Sequence, residues 1–271
     1  MKNKFQKILF ASLCLNALFL LAFCGIAYKK RGAIKEKLAG LSVGAGTKTE
    51  ELALAMNQEV FEPVFGKLGN GEKTVKIAFV GNSLTLHGVA NEIGWPRQSG
   101  MAASALENDY VHKLARKIAE SKNVSVEYAV ANVADFERDF DSFDSSRLKK
   151  IKDFGADFVV FQLGENLSAA ADFARFEEKY RGLLNEFSPS VKIVCLPFWH
   201  DNNKNSAITK AALETNSFLV DLSHLDGILD ARNYASSESD WKHKGVGRHP
   251  GDFGMENIAE NIFSVLNAVI K

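Results

Sequence analysis

The sequence predicts an α/β protein in which a central parallel sheet is covered by helices on both faces. Short apolar runs rich in β-branched residues alternate along the chain with segments whose apolar residues recur every three or four positions. Strands that are apolar throughout are typical of parallel sheets buried on both faces, and their alternation with helices implies helical crossover connections. The total of 271 residues, 46% of them hydrophobic, is ample for one well-buried core.

The N-terminus predicts a separate membrane segment. Residues 8–28 form an uncharged apolar run that lies between three lysines and the basic residues 29–31. At about 1.5 Å per residue, such a run can span the roughly 30 Å hydrocarbon layer of a membrane. We therefore expect residues 1–31 to be a signal anchor, with the rest of the chain on the periplasmic or extracellular side; the alternative is a cleaved signal peptide and secretion.

The remaining chain divides into a predicted linker and a predicted globular domain. Residues 32–72 carry several glycines around a short helical pattern at 50–60, which is typical of a linker with one helix. The regular alternation of strands and helices fills residues 73–271.

Within this domain the elements follow in order. Strands are predicted at residues 75–80, 124–131, 157–163, 191–197 and 218–222, and helices at 110–121, 145–154, 172–187, 206–215 and from Asp252 onward. Asp252 is a plausible N-cap for the last helix, whose apolar face carries Met255, Ile258, Ala259, Ile262, Leu266 and Val269. Residues 87–108 form an unusually long connection, and long loops of this kind commonly border a binding pocket.

The strand at residues 75–80 ends in a pattern that suggests chemistry. Gly81 follows the apolar run, and Ser83 comes two residues later. The strand should stop at a sharp turn at Gly81, where a side chain would be in the way. Ser83 is then exposed at the carboxyl edge of the sheet, where open α/β sheets bind their ligands.

Two more motifs complete a recognisable set. Gly-Asn-Ser-Leu occupies residues 81–84, Gly-Glu-Asn ends another strand at residues 164–166, and Gly-Arg-His-Pro-Gly-Asp precedes the last helix at residues 247–252. In this order the three motifs resemble the SGNH or GDSL hydrolases, over roughly residues 74 to 271. The resemblance implies a three-layer α/β/α, flavodoxin-like fold and ester hydrolysis.

The resemblance also implies roles for particular residues. Ser83 would be the nucleophile, and His249 the base that takes the proton of the serine and returns it to the leaving alcohol. The oxyanion hole would consist of the Ser83 backbone N–H, the side-chain amide of Asn166 and a backbone N–H near Ala134. His200, which also follows a strand, is the main rival of His249.

The acid of the family pattern is missing, because Val246 stands where an aspartate is usual. Three arrangements remain open: a Ser-His dyad oriented by a backbone carbonyl, a carboxylate from elsewhere, or an inactive site. The candidate carboxylates are Asp221, Asp240 and Asp252, although Asp252 is better explained as a helix cap. Gly164 and Glu165 are possible supporting residues, with Glu165 orienting Asn166, contacting the substrate or being a solvated charge.

The predicted function is hydrolysis of an acyl ester, most simply acetyl, on a cell-surface or imported carbohydrate. Aromatic and basic residues placed around the expected site suit a sugar ring; they are Trp95, Arg97, Phe198 and Trp199. An acyltransferase acting on surface glycan and an inactive glycan-binding protein are the alternatives.

Other classes of site are not indicated. The 33 basic and 33 acidic side chains balance, so the overall charge gives no reason to expect a nucleic acid partner. There is no phosphate-binding or dinucleotide-binding glycine motif, and the six histidines show no paired spacing, so we expect neither a cofactor nor a metal.

Overall fold

The computed structural model describes residues 62–271. The predicted membrane segment at residues 1–31 and the predicted helix at residues 50–60 lie outside this part of the chain. In residues 62–271, no helix combines the length and the apolar character that crossing a membrane requires.

A six-stranded sheet forms the centre of the molecule. Its strands are β1 (Val64–Leu68), β2 (Thr74–Gly81), β3 (Ser125–Asn132), β4 (Phe158–Gln162), β5 (Val191–Cys195) and β6 (Phe218–Val220), arranged in the order β1-β3-β2-β4-β5-β6. All neighbouring pairs are parallel except β1 and β3, which are antiparallel. The five predicted strands are therefore confirmed.

Strand β1 was not predicted as a strand. It lies inside the segment interpreted as a linker, so the sheet begins before residue 73. Its residues alternate between partly buried and exposed positions, and Phe65 is half exposed. An edge strand of this kind lacks the continuous apolar run that marks the buried parallel strands.

Helices cover both faces of the sheet. They are α1 (Tyr110–Lys122), α2 (Ala134–Arg138), α3 (Lys149–Asp153), α4 (Phe173–Asn185), α5 (Asn202–Glu214), α6 (Lys244–Gly247) and α7 (Asp252–Val269). The apolar residues of α1 and α7 join the core on one face, and those of α2 to α5 join the core on the other. The three-layer arrangement agrees with the fold implied by the sequence motifs.

Helix α7 confirms its predicted apolar face but not its predicted cap. Met255, Ile258, Ala259, Ile262 and Leu266 are completely buried, and each large side chain of this kind contributes about 1.5–3 kcal/mol of burial free energy. The N-cap is Gly251, without a side-chain hydrogen bond.

Asp252 is the first residue of α7, and its carboxylate binds the loop at residues 87–108 instead of the helix end. It accepts hydrogen bonds from Ser104 N at 2.8 Å and from Asn108 Nδ2 at 2.9 Å. The loop itself contains only short 3₁₀ turns at Asn91–Ile93 and Leu106–Asn108.

Two of the aromatic residues expected to contact a sugar, Trp95 and Phe198, lie in the interior. Trp95 is fully buried and packs against Trp241 with 6.1 Å between ring centroids. Phe198 is also fully buried, in the core beneath the sheet edge. These two side chains therefore pack the interior and do not face a substrate, and the prediction for them was wrong.

The strand order places a crevice at one edge of the sheet. The five parallel strands run β3-β2-β4-β5-β6, which is the flavodoxin-like order 2-1-3-4-5. In such sheets ligands bind beyond the carboxyl ends of the strands at the point where the order reverses. Here that point lies beside β2 and β4, whose ends carry Ser83 and Asn166.

Candidate active site

Ser83 lies in a tight turn that leaves strand β2. A Cβ atom at Gly81 would come within 1.9 Å of Thr85 Oγ1, so only glycine fits at the strand end. The Asn82 carbonyl accepts a hydrogen bond from Thr85 N at 3.0 Å, and Asn82 Oδ1 accepts one from Leu84 N at 3.0 Å. The turn predicted from the glycine is confirmed, and it holds Ser83 at the carboxyl edge of the sheet.

Ser83 and His249 form a hydrogen-bonded pair. Ser83 Oγ lies 3.0 Å from His249 Nε2, and His249 Nδ1 lies 2.8 Å from the carbonyl oxygen of Gly245. Because a carbonyl oxygen can only accept, Nδ1 carries the hydrogen and Nε2 presents its lone pair to the serine hydroxyl. This is the tautomer that a general base for Ser83 requires.

The environment of His249 favours its neutral form. Burial lowers the pKa of His249 to about 4, the Gly245 carbonyl acts in the opposite direction, and the charges of His87, Arg248 and His243 add a smaller lowering. The Trp199 ring stands edge-on to the imidazole with 5.2 Å between centroids. A neutral imidazole is the form that can accept the serine proton near neutral pH.

No carboxylate in residues 62–271 contacts His249. The Asp221 carboxylate instead accepts hydrogen bonds from Ser223 N at 2.9 Å and Ser223 Oγ at 2.6 Å. Asp252 binds Ser104 and Asn108, and Asp240 is exposed. Of the partners considered for His249, the backbone carbonyl is therefore the one that contacts its ring.

The rival histidine lies apart from this pair. His200 is exposed, and its Nε2 lies 3.0 Å from Asn202 Oδ1. Its backbone N–H donates to Asp226 Oδ2 at 3.2 Å. His200 therefore makes no contact with Ser83.

The two backbone N–H groups expected in the oxyanion hole differ in whether they already have an acceptor. Within residues 62–271, no acceptor lies within hydrogen-bond reach of the Ser83 N–H, so this donor is open. The Ala134 N–H donates to Asn132 Oδ1 at 2.9 Å. The predicted role of Ala134 therefore does not agree with the structure, since its N–H is already used to cap the end of strand β3.

Asn166 is held by a residue that the sequence analysis missed. Its Nδ2 donates to Glu137 Oε2 at 2.6 Å, which leaves the second hydrogen of the amide for another acceptor. Glu137 lies on the short helix α2 and is almost completely buried. Gly164 N donates to the same carboxylate, and φ at Gly164 is +128°, a conformation that favours glycine.

Glu165, predicted to be a supporting residue, does not orient Asn166. Its carboxylate accepts hydrogen bonds from Asn82 Nδ2 at 2.7 Å, Gln162 Nε2 at 2.5 Å and Phe198 N at 2.8 Å. Glu165 thereby fixes the residue next to Ser83 and the loop after strand β5.

The signal that could have revealed Glu137 is its position. Asp135 and Glu137 lie within five residues of the end of the apolar strand β3. A carboxylate at the carboxyl end of a buried parallel strand points to the edge where Ser83 and Asn166 also lie.

The described residues offer no grouping of three His, Cys, Asp or Glu side chains that could hold a metal ion. The groups that meet at this edge are a hydroxyl, an imidazole, amides and carboxylates.

Comparison with solved structures identifies the fold. The chain is 18% identical to the lipase/acylhydrolase from Enterococcus faecalis, with a TM-score of 0.54 over 73% of this chain and 97% of that one. This similarity shows the fold, a central sheet covered by helices, which the alternation of strands and helices in the sequence predicted.

Two further similarities are weaker. An acetyl xylan esterase, AlAXEase, is 19% identical with a TM-score of 0.47, covering 72% of this chain and 100% of that one. A family two carbohydrate esterase from Cellvibrio japonicus is 18% identical with a TM-score of 0.44, covering 72% and 61%. No protein-family model and no curated protein matches the sequence.

Proposed function

We propose that this chain is a serine ester hydrolase of the SGNH type. The observation that carries the proposal is the 3.0 Å contact between Ser83 Oγ and His249 Nε2, with Nδ1 fixed by the Gly245 carbonyl. Nucleophile and base are thus within hydrogen-bond reach, and the base is in turn oriented by a third group. An inactive glycan-binding protein would not need this geometry.

The reaction proceeds through an acyl-enzyme. Ser83 Oγ attacks the ester carbonyl carbon while its proton passes to His249 Nε2, and the carbonyl oxygen becomes an oxyanion facing the Ser83 N–H and the Asn166 amide. The imidazolium returns the proton to the leaving alcohol as the ester bond breaks. Water, deprotonated by His249, then attacks the acyl-serine, which releases the carboxylic acid and restores the Ser83 hydroxyl.

The proposed substrate is an acetylated carbohydrate. The sequence resemblance motivates this choice, and Trp199 supports it, because it is half-buried beside His249 and offers an aromatic surface next to the reacting atoms.

The test is hydrolysis of p-nitrophenyl acetate and of acetylated xylan by the full chain. Ser83→Ala and His249→Ala should each lower kcat by about 10⁴-fold or more, as dyad residues do in serine hydrolases. His200→Ala, which removes the rival histidine, and Ser264→Ala, which removes a serine hydroxyl on α7, are matched controls and should keep wild-type activity.

The outcomes separate the alternatives. A folded wild-type chain without turnover, or turnover indifferent to Ser83, would refute the hydrolase. Loss of the ester without release of acetate, in the presence of a sugar acceptor, would identify an acyltransferase instead.

We also propose that residues 1–31 anchor the chain in a membrane with the described domain outside the cytoplasm. The apolar run at residues 8–28 between basic flanks supports this proposal. Recovery of the full chain in washed membranes, with the domain digested by protease added to intact cells or spheroplasts, is the expected result; recovery in the soluble fraction would contradict it.

A further inference from the structure

Glu137 is a buried carboxylate surrounded by N–H donors. Its Oε2 accepts a hydrogen bond from Asn166 Nδ2 at 2.6 Å. Its Oε1 accepts hydrogen bonds from Asn82 Nδ2 at 3.1 Å, from Asn166 N at 3.4 Å and from Gly164 N. Only 1% of the residue is exposed. No lysine or arginine of residues 62–271 forms an ion pair with this carboxylate.

Asn82 connects this carboxylate to a second one. One hydrogen of Asn82 Nδ2 goes to Glu137 Oε1 and the other goes to Glu165 Oε2, at 2.7 Å. Both side-chain hydrogens of Asn82 and its Oδ1 atom are therefore used. Since Ser83 is the next residue, the network joins the nucleophile turn to the loop that carries Asn166.

The orientation of Asn166 matters because the oxyanion hole has few other donors. The Ala134 N–H is taken by Asn132, whereas the Ser83 N–H is open. A planar amide has two hydrogens on one nitrogen, and fixing one of them fixes the direction of the other. The Glu137 carboxylate occupies one hydrogen, so it sets where the remaining one points.

We propose that Glu137 is a positioning residue for ester hydrolysis: its carboxylate holds one N–H of Asn166 so that the second N–H faces the oxyanion formed at Ser83. The inference rests on the proposed function, and it adds a residue that acts on the reaction only through Asn166. A carboxylate suits the place because it accepts hydrogen bonds through both oxygens and donates none.

Glutamine is the sharpest substitution, because it has nearly the same shape but presents an NH₂ group on one side. In Glu137→Gln that group meets either Asn166 Nδ2 or the donors from Asn82 and Gly164. In the first orientation Asn166 loses its acceptor, or flips and turns its nitrogen away from the oxyanion. In the second, Asn82 and Gly164 lose theirs, and the turn and loop that hold Ser83 and Asn166 are no longer joined. We expect kcat on p-nitrophenyl acetate to fall about 10- to 100-fold with little change in KM, because loss of one whole oxyanion donor costs about 10²–10³-fold.

A double-mutant cycle with Asn166→Ala distinguishes positioning from a general structural role. If Glu137 acts through Asn166, the Glu137→Gln/Asn166→Ala chain should have the kcat of Asn166→Ala within about threefold. Glu120→Gln replaces an exposed carboxylate on α1 and is the matched control, expected at wild-type activity. Glu137→Asp keeps the charge on a shorter side chain and provides the same cycle if the glutamine variant is too unstable to purify.

Two results would overturn the inference. One is wild-type kcat in folded Glu137→Gln; the other is a loss that multiplies in full onto that of Asn166→Ala. Both presuppose a wild-type chain that hydrolyses the ester and a Ser83→Ala chain that does not, so failure of the hydrolase proposal itself would be seen separately.

Discussion

The two sides of the candidate active site differ in where they carry negative charge. On the base side, His249 is oriented by the uncharged carbonyl of Gly245, and no carboxylate of residues 62–271 contacts it. On the oxyanion side, Glu137 and Glu165 lie behind the amides of Asn82 and Asn166. Among the described residues, carboxylates thus stand behind the hydrogen-bond donors and none stands behind the base.

The difference shows two ways of fixing a catalytic group. A carbonyl dipole selects the tautomer of His249 but stabilises the imidazolium less than a full charge would. A carboxylate fixes an amide strongly, because hydrogen bonds to an ionised acceptor are short and strong. The same charge opposes an oxyanion nearby, so the protonation state of Glu137 bears on the site. Burial, followed by the charge of Glu165, raises the pKa of Glu137 to about 7.

On the oxyanion side, the substitution expected to have the largest effect on stability is Asn82→Asp. The substitution removes the donors to Glu137 and Glu165 and adds a third buried carboxylate. We expect the free energy of unfolding to fall by about 3–5 kcal/mol at about pH 8, and by less at about pH 5, where the raised pKa of Glu137 favours its uncharged form.

Urea unfolding at both pH values measures this effect. Asn203→Asp, at an exposed position of α5, serves as the control. A loss below about 1 kcal/mol at the higher pH would show that the Asn82 bridge is not needed.

The next effect is the pH dependence of stability. The pKa of Glu137 is raised in the folded chain from the ordinary value of 4.5 to about 7, so the folded state binds the proton more tightly than the unfolded state. Its stabilising contribution is complete below about pH 4.5 and is lost as the pH rises through about 7. The difference in unfolding free energy between wild type and Glu137→Gln should therefore change over this interval. A constant difference would contradict the raised pKa.

On the base side, the pH dependence of activity tests the buried dyad. His249 must be neutral to accept the Ser83 proton, and its pKa is lowered to about 4. The acid limb of kcat/KM should therefore lie near pH 4 instead of near the ordinary histidine value of about 6.5. Initial rates with acetylated xylan, whose acetate release can be followed at low pH, measure this limb. A limb at the ordinary value would mean that water reaches the imidazole.

The smallest expected effect concerns Trp199. Removing its ring, as in Trp199→Ala, admits water beside His249 and weakens the desolvation that lowers the pKa. The acid limb of kcat/KM should move upward by about one pH unit. Phe218→Ala removes an aromatic ring on β6 that is 44% exposed and should leave the limb in place. An unmoved limb in Trp199→Ala would assign the lowered pKa to the rest of the pocket.

Much of the site could be predicted because its parts follow the chain locally. A buried strand ending at Gly81 predicts the Ser83 turn, and the tight loop before α7 predicts the position of His249. Glu137 lies on a five-residue helix, too short for a periodic pattern, and its importance appears only when β3 and β4 are brought together.

By itself, the sequence determined the α/β class, the five parallel strands, the apolar face of the last helix and the order of the serine, asparagine and histidine motifs, because apolar periodicity and strand-end residues are local properties. Only the tertiary structure decided what orients His249, which N–H groups are free and which carboxylate holds Asn166. The carbonyl of Gly245 belongs to the backbone, so no residue type in the sequence marks its role. The sequence likewise does not show whether the N–H of Ala134 is bonded to the side chain of Asn132. Contacts of this kind depend on the distances between strand ends, which the fold alone sets.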